Sequence, residues 1–145
     1  MNKEIFTDIC DRLESEVTAL NWIDFDAGQL ETERPGITYP AALIDIEFPS
    51  CDDIGYEQQQ AVIADINIRL IFKPNGATNS RAPVPVRDEA LSFFDTVQNV
   101  HLALQEWDDN YQLTPFSRTR VLRERRNDGL TVYRATYRTG FREIP

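Results

Sequence analysis

The chain has 145 residues, of which 41% are hydrophobic and 10% aromatic, so it is long enough for one domain with a packed core and too apolar for wholesale disorder. Its formal net charge of −9 and its pI of about 4.6 argue against a protein that binds nucleic acid over its whole surface. No stretch reaches the ~20 apolar residues of a membrane span, and Cys10 and Cys51 lack metal-type spacing, which favours reduced cysteines in the cytosol.

The first sixty residues predict one helix and two strands. Residues 3–20 have apolar residues at every third or fourth position with acidic residues between them, which indicates an amphipathic helix. Residues 22–25 and 40–48 have the composition of strands. An acidic loop without periodicity separates them at 29–35, and the turn-forming residues of 49–55 end the second strand.

The middle of the chain predicts one strand, a long loop and a second helix. In residues 61–72 the even-numbered positions are all apolar, while Asp65, Asn67 and Arg69 share the other face with Ile63 and Ile71. A period of two is typical of a strand. Residues 73–86 are rich in Pro, Asn, Gly, Ser and Ala and form a loop. A helix is predicted at about 86–106. Its inner stripe is Leu91, Phe94, Val97, His101 and Leu104.

The C-terminal part predicts two strands, at about 112–125 and 130–142, joined by a hairpin at Asn127-Asp128-Gly129. Together these elements predict an α+β fold. We expect a mostly antiparallel sheet of about five strands with two helices packed on one face. Because 145 residues is close to the common size of one domain, residues 1–145 are predicted to form a single domain.

Residues suited to catalysis or metal binding are few. His101, the one histidine, lies on the predicted apolar stripe, which favours a packed histidine over a catalytic one. The acidic clusters lack the spacing and central glycine of a calcium loop, and no phosphate-binding glycine motif occurs. We therefore predict a protein that is not an enzyme and uses no metal or cofactor. The enzymatic alternative is an acid and base pair on one strand face, such as Asp45 and Glu47.

Charge is divided by position along the chain. Residues 1–60 contain fourteen Asp or Glu against three basic residues, a net of −11, whereas residues 118–142 contain eight Arg against two acidic residues, a net of +6. Such a division in a small chain suggests a surface that meets its opposite on another protein or on a second copy. Thirteen of the fifteen basic residues are Arg, whose planar fork pairs bidentately with carboxylates.

We therefore predict a subunit interface in which the Arg-rich hairpin docks on carboxylates of a neighbouring copy. Strand alternation would place Arg118 and Arg120 on one face and Arg123 and Arg125 on the other. The predicted interface residues are Arg118, Arg120, Arg123, Arg125, Arg126, Asp24, Asp26, Glu31, Glu33, Asp52 and Asp53. Two simpler explanations stay open. The two segments neutralise each other inside one fold, or the arginines only protect a sheet edge from aggregation.

The order of the elements and three short tags resemble a known family. The tags are Tyr39-Pro40-Ala41 after a polar loop, Gln58-Gln59-Gln60 before the alternating strand, and Tyr133-Arg134-Ala135-Thr136-Tyr137 in the last strand. With the leading helix, the second helix and the closing hairpin, the chain is similar over nearly its whole length to the tail-completion, or tail-terminator, proteins of tailed bacteriophages and their prophages.

That resemblance implies an α+β subunit of a ring, usually a hexamer, that caps or joins the tail tube at the head–tail junction. It implies a structural role without cofactor or catalytic residues, and tail tube or connector proteins as partners. It places the protein in the host cytoplasm during assembly and then in the virion tail, with no membrane and at most transient contact with DNA. The family's interface positions are not fixed by a motif, so no individual site residue is inherited.

A nucleic-acid-binding module is the alternative of a different class. Arginines interleaved with Tyr133 and Tyr137 in the hairpin offer phosphate contacts and rings for stacking. The net charge of the first sixty residues opposes this reading, because it repels a phosphate backbone unless it is turned away.

Overall fold

The structure is a computed structural model that describes residues 3–32 and 36–145. It confirms the predicted α+β class, with one five-stranded sheet and helices. In chain order the elements are helix α1 (Glu4–Glu16), strand β1 (Trp22–Phe25), a 3-10 helix (Gln29–Glu31), strands β2 (Ala41–Asp53) and β3 (Gln60–Phe72), helices α2 (Val84–Ala90) and α3 (Phe93–Leu104), and strands β4 (Ser117–Glu124) and β5 (Thr131–Glu143).

The sheet is mixed, which corrects the expectation of a mostly antiparallel one. Its strand order is β1-β2-β3-β5-β4, and β1 runs parallel to β2 while the other three pairings are antiparallel. The physical reason is the connection between β1 and β2. Residues 26–40 are long enough to cross back to the end of the sheet where β1 began, as a parallel pairing requires.

The described residues contain three α-helices where two were predicted. The segment predicted as one helix at 86–106 is interrupted at Leu91 and Ser92, so α2 and α3 are separate. The interruption changes which side chains of α3 face the core. Its buried residues are Thr96, Val100, Ala103 and Leu104, whereas Phe94 of the predicted stripe is 51% exposed.

The core lies between one face of the sheet and helices α1 and α3. The alternation predicted for 61–72 is confirmed, because all six even-numbered side chains from Val62 to Phe72 are buried on this face, called here the helical face. Ile9 and Leu13 of α1, and Val100 and Leu104 of α3, pack against them in one apolar cluster. This burial is the main source of stability for the fold.

The opposite face of the sheet, called here the open face, is covered at one end only. Leu30 of the 3-10 helix packs there on Leu43, Ile71 and Val132 in a second, smaller apolar cluster. The rest of the open face has mainly polar and charged side chains, with Ile63 and Leu122 exposed among them. Among them Arg134 lies opposite Arg69, and its buried Nε has no hydrogen-bond partner among the described residues.

The predicted hairpin and the predicted second strand both form, with altered ends. β4 and β5 pair antiparallel around the turn at Asn127-Asp128-Gly129, as expected. β2 continues to Asp53 instead of ending at Phe48, because a register shift between Glu47 and Ser50 accommodates Pro49, which has no N–H to donate to the ladder.

Candidate assembly surfaces

Arg69 on β3 joins the acidic loop after β1 to the C-terminal hairpin. Its Nε and Nη2 donate to the two carboxylate oxygens of Glu124 at 3.0 and 2.7 Å, and its Nη1 donates to Asp26 at 3.3 Å and to Glu31 at 3.5 Å. The side chain is only 12% exposed. Burial disfavours its charge, but the hydrogen bonds to Glu124 and Asp26 outweigh burial and raise the pKa of the guanidinium above its ordinary value.

Arg126 makes a second link between the hairpin and the acidic loop. Its Nη2 donates to the Leu30 carbonyl and to the Asp128 carboxylate, each at 2.8 Å. The hydrogen bond from Arg126 lowers the pKa of Asp128 below its ordinary value. Of the predicted interface residues, Asp26, Glu31 and Arg126 thus have partners inside the chain, which supports internal neutralisation at this point of the fold.

Strand β4 is one free edge of the sheet, and a bulge sets the direction of its side chains. Arg118 pairs with Tyr137 and Arg120 with Thr136, which are neighbours in β5, so Thr119 is the extra residue. The prediction that Arg118 and Arg120 share a face is wrong for this reason. Arg118 lies on the helical face beside Tyr137, and Arg120 lies on the open face.

Three exposed arginines lie at this edge. Arg120 and Arg123 lie on opposite faces of β4, Arg125 follows the strand, and all three are exposed. None of them makes an ion pair with any residue in the described ranges. We name this surface the arginine edge: β4 with Arg120, Arg123 and Arg125.

Strand β1 is the opposite free edge, and it is acidic. The Asp24 carboxylate accepts hydrogen bonds from the Phe25 N–H at 2.8 Å and from Gln29 Nε2 at 3.2 Å. Glu14 of α1 lines a hollow beside β1 together with Trp22 and Asp24. We name this surface the acidic edge: β1 with Glu14 and Asp24.

Helix α1 extends the negative charge of the acidic edge. It contacts β1, where the Phe6 and Phe25 rings meet edge to face with centroids 5.8 Å apart. Its sequence has five acidic residues and one arginine. That arginine, Arg12, donates to the Ala103 carbonyl at 2.9 Å and pairs with Glu16, so it is held within the fold. Opposite charges therefore lie at opposite edges of one sheet.

The remaining predicted acidic residues lie elsewhere. Asp52 and Asp53 are exposed at the end of β2, where Asp53 accepts a hydrogen bond from Gln60 Nε2 at 3.0 Å. They lie near neither the 3-10 helix nor the hairpin turn. The 3-10 helix follows β1, and β1 pairs only with the first four residues of β2, at the opposite end of that strand. Glu33 lies outside the described residues.

An aromatic groove of about 870 Å³ lies on the helical side, where β3 ends and β5 begins. Phe93 and Tyr133 stack there with centroids 6.0 Å apart, and Phe94 lies 4.4 Å from Phe93. Lys73 and Arg123 also line the groove, and no described acidic residue does, although the chain has 24 acidic residues. Sequence reasoning missed this groove; the Phe93-Phe94 pair next to a long loop was its available signal.

His101 packs against Tyr137, and the two cysteines differ in their exposure. The His101 Nδ1 lies 3.2 Å from the buried Tyr137 hydroxyl, and burial together with nearby Arg118 lowers the pKa of the imidazole. Burial raises the pKa of the Cys10 thiol to about 11, with the help of nearby carboxylates. Cys51 is exposed. The packed histidine expected from the sequence fits this position.

An acidic pair joins α1 to the loop after α3. The carboxyl groups of Asp8 and Asp109 share a hydrogen bond; burial, that bond and the negative charges of Asp8 and Asp108 raise the pKa of Asp109 to about 6. Asp109 has a left-handed backbone with φ of 50°. Across residues 3–32 and 36–145, no three His, Cys, Asp or Glu side chains are grouped to hold a metal ion.

Two further findings bear on identity. None of the helices in the described part of the chain is long and apolar enough to cross a membrane. Comparison with protein-family models and with curated proteins found no match to this chain.

Proposed function

We propose that this chain is a structural subunit that assembles head to tail into a ring, and that the ring caps or joins a phage or prophage tail tube at the head–tail junction. The observation that carries the proposal is the presence of opposite charges at the two free edges of one sheet. The resemblance in element order and short tags supplies the phage context. In this role the protein acts in the host cytoplasm and then in the virion tail, with tube or connector proteins as partners.

Head-to-tail assembly fits the arrangement of charges. A ring requires heterologous contacts, in which one patch of a subunit meets a different patch of the next. The arginine edge has cations without an ion-pair partner among the described residues, and the acidic edge has Glu14 and Asp24 beside exposed aromatic rings. Charge complementarity of this kind steers association and fixes its register.

The test is the molar mass in solution, measured by light scattering at about 0.05 M and about 0.5 M salt, since exposed charges are screened at the higher concentration. We expect a mass several times that of the 16.7 kDa chain at low salt and a smaller mass at high salt. A monomer at both salt concentrations, up to the highest soluble protein concentration, contradicts self-assembly of the chain alone.

Nucleic-acid binding is the second candidate function, and the aromatic groove is the observation that favours it. Tyr133, Phe94 and Arg123 meet there, with Lys73 at the rim and no lining carboxylate. Stacking rings and cations are what a single strand requires. The sequence suggested Tyr137 as a second stacking ring. It does not contribute, because its side chain is fully buried.

Fluorescence anisotropy of a labelled single-stranded oligonucleotide at low salt tests this alternative. Binding through the groove should weaken steeply as salt rises and should fall about 5- to 150-fold in affinity on Tyr133→Ala, since stacking contributes about 1–3 kcal/mol per base. No binding at low salt rejects it.

A further inference from the structure

The acidic edge and the arginine edge lie at the same level along the strand direction. Cross-strand pairing forms continuous rows through all five strands. Four of these rows begin at β1 and end at β4. They join Trp22 to Glu124, Ile23 to Arg123, Asp24 to Leu122, and Phe25 to Val121. A rotation about an axis parallel to the strands therefore brings residues 22–25 of one copy beside residues 121–124 of the next.

The two edge strands also have the directions that pairing requires. β1 is parallel to β2, and three successive antiparallel pairings separate β2 from β4, so β1 and β4 run in opposite directions. Rotation about an axis parallel to the strands keeps each direction. The β1 of one copy and the β4 of the next would form an antiparallel pair, which can continue the hydrogen-bonded ladder between copies.

Charges match on both faces of this contact. On the open face, Asp24 lies in the row of Leu122, and Arg120 is the next residue of β4 on that face. Such diagonal neighbours are about 7–8 Å apart in a sheet, within reach of an arginine. On the helical face, Glu14 lies beside Ile23, whose row ends at Arg123.

One local feature limits the length of the pairing. Gln29 Nε2 already donates to the Phe25 carbonyl at 2.9 Å, and the Phe25 N–H donates to the Asp24 side chain. These bonds satisfy the edge at Phe25 within the chain. The segment available to a neighbour is therefore residues 22–24.

We propose that a second copy of this chain occupies each free edge, with residues 22–24 of one copy pairing antiparallel with residues 122–124 of the next. Ile23 then lies opposite Arg123, and Asp24 lies opposite Leu122. Glu14 pairs with Arg123 on the helical face, and Asp24 pairs with Arg120 on the open face. The inference rests on the proposed function and specifies the contact that builds the ring.

The same pairing sets the size of the ring, and the position of the helices indicates which face of the sheet is inside. For the hexamer that the family resemblance implies, five strands per copy at about 4.8 Å spacing give a circumference of about 140 Å and a diameter of about 45 Å. The helices cover one face of the sheet. The open face, with its acidic and arginine side chains, then lines the channel of the ring.

Disulfide trapping tests the register. Two proteins are made in a Cys51→Ser background, one with Ile23→Cys and the other with Arg123→Cys. Cys10 is retained, because its half-buried thiol has a pKa of about 11 and stays protonated. The two proteins are mixed and oxidised with oxidised glutathione, and the dimer is measured on a non-reducing gel. We expect most of the mixed protein to form a disulfide dimer and each protein alone to stay monomeric.

The matched control replaces Arg123→Cys by Ser117→Cys, which lies six residues along β4, about 20 Å away. It should give at least tenfold less dimer in the same time. A second pair, Asp24→Cys with Leu122→Cys, repeats the test on the open face if the Ile23 variant is poorly folded.

Each other outcome overturns the pairing. A dimer of Arg123→Cys alone indicates a symmetric contact between two β4 strands. Equal trapping at Ser117 indicates random collision. An assembly of high mass without the trapped dimer leaves the proposed ring but rejects this contact, whereas a monomeric mass without trapping rejects both.

Discussion

At the scale of single residues, Arg69 is the side chain on which the contact between the acidic loop and the hairpin depends. Arg69→Met keeps the apolar stem but leaves Asp26 and Glu31 without their cation and Glu124 with only the longer contact to Arg126, at 3.9 Å. We expect a loss of about 2 kcal/mol in the free energy of unfolding, below the range for a fully buried pair because Glu31 is exposed. Urea denaturation followed by circular dichroism measures it.

Arg138→Met is the matched control for Arg69. Arg138 also holds a carboxylate with two hydrogen bonds, from its Nε and Nη2 to Asp65. Its side chain is 51% exposed, so water replaces the lost contact. Its substitution should leave the unfolding free energy almost unchanged. Equal losses for the two variants would show that burial of the Arg69 network has no special effect.

The acidic pair predicts a pH-dependent stability. Because the pKa of Asp109 is raised from 3.8 to about 6, the folded state holds this proton more tightly than the unfolded state. The contribution of protonated Asp109 to the free energy of unfolding is therefore fully present below pH 4 and is lost as pH rises through 6. Asp109→Asn keeps the uncharged form, and asparagine tolerates the left-handed backbone. We expect it to stabilise the protein by about 1 kcal/mol at pH 8, after allowance for solvent screening, and not at pH 4.

Asp11→Asn is the control for this titration, because it removes an exposed carboxylate from the same helix that holds Asp8. Thermal unfolding midpoints at pH 4, 6 and 8 separate the two variants. The stability of the Asp109 variant, measured relative to the unmodified protein, should increase stepwise as pH rises. A gain of the same size at pH 4 and pH 8 would mean that the raised pKa is not the cause.

Residue partners of this kind were beyond the reach of sequence reasoning. The strand pattern predicts that Arg69 lies on the face opposite the even-numbered apolar positions, as it does, but its partners are 38 to 55 residues away in the sequence. Only the folded sheet brings them together. The sequence therefore predicted carboxylates and arginines as interface groups without distinguishing Asp26 and Arg126, which have ion-pair partners inside the chain, from Arg123, which has none among the described residues.

At the scale of elements, Gly140 limits what β5 accepts. A Cβ at this position would lie 2.9 Å from Thr114 Oγ1 and 3.2 Å from the Val62 carbonyl oxygen. Thr114 cannot simply move, because its N–H and its hydroxyl both donate to the Gly140 carbonyl. Gly140→Ala should destabilise the protein by about 1–3 kcal/mol, the usual effect of overpacking, as measured by urea denaturation.

Gly36→Ala is the control for Gly140. No atom lies within 4 Å of the Cβ that it would add, and its backbone is not left-handed. We expect no loss of stability or a small gain, because alanine restricts the unfolded chain. If Gly140→Ala leaves the free energy of unfolding unchanged, Thr114 moves aside without destabilising the fold.

The elements were predictable where a simple period governs them and unpredictable where one residue breaks it. The strand β3 was predicted to within one residue because every second side chain is apolar and buried. The extra residue Thr119 in β4 and the interruption at Leu91 and Ser92 change side-chain direction without any Gly or Pro to announce them. The parallel β1 pairing depends on a long crossover whose direction the sequence pattern does not encode.

At the scale of the whole molecule, head-to-tail assembly requires two unlike edges that fit each other. The acidic edge includes Glu14, and the arginine edge includes Arg123; both side chains are exposed, so their substitution should not disturb the fold. In the proposed contact, Glu14→Arg places a positive charge opposite Arg123 of the next copy, and Arg123→Glu places a negative charge opposite Glu14. Each variant alone should assemble poorly, because like charges then meet at every contact.

The most direct measurement is the molar mass of an equimolar mixture of the Glu14→Arg and Arg123→Glu variants, compared with each variant alone at low salt. A head-to-tail contact predicts masses near the 16.7 kDa monomer for the separate variants and recovery of the larger assembly on mixing, because reversed charges then face each other. Variants that assemble normally when alone, or a mixture that stays monomeric while the unmodified chain assembles, would contradict it.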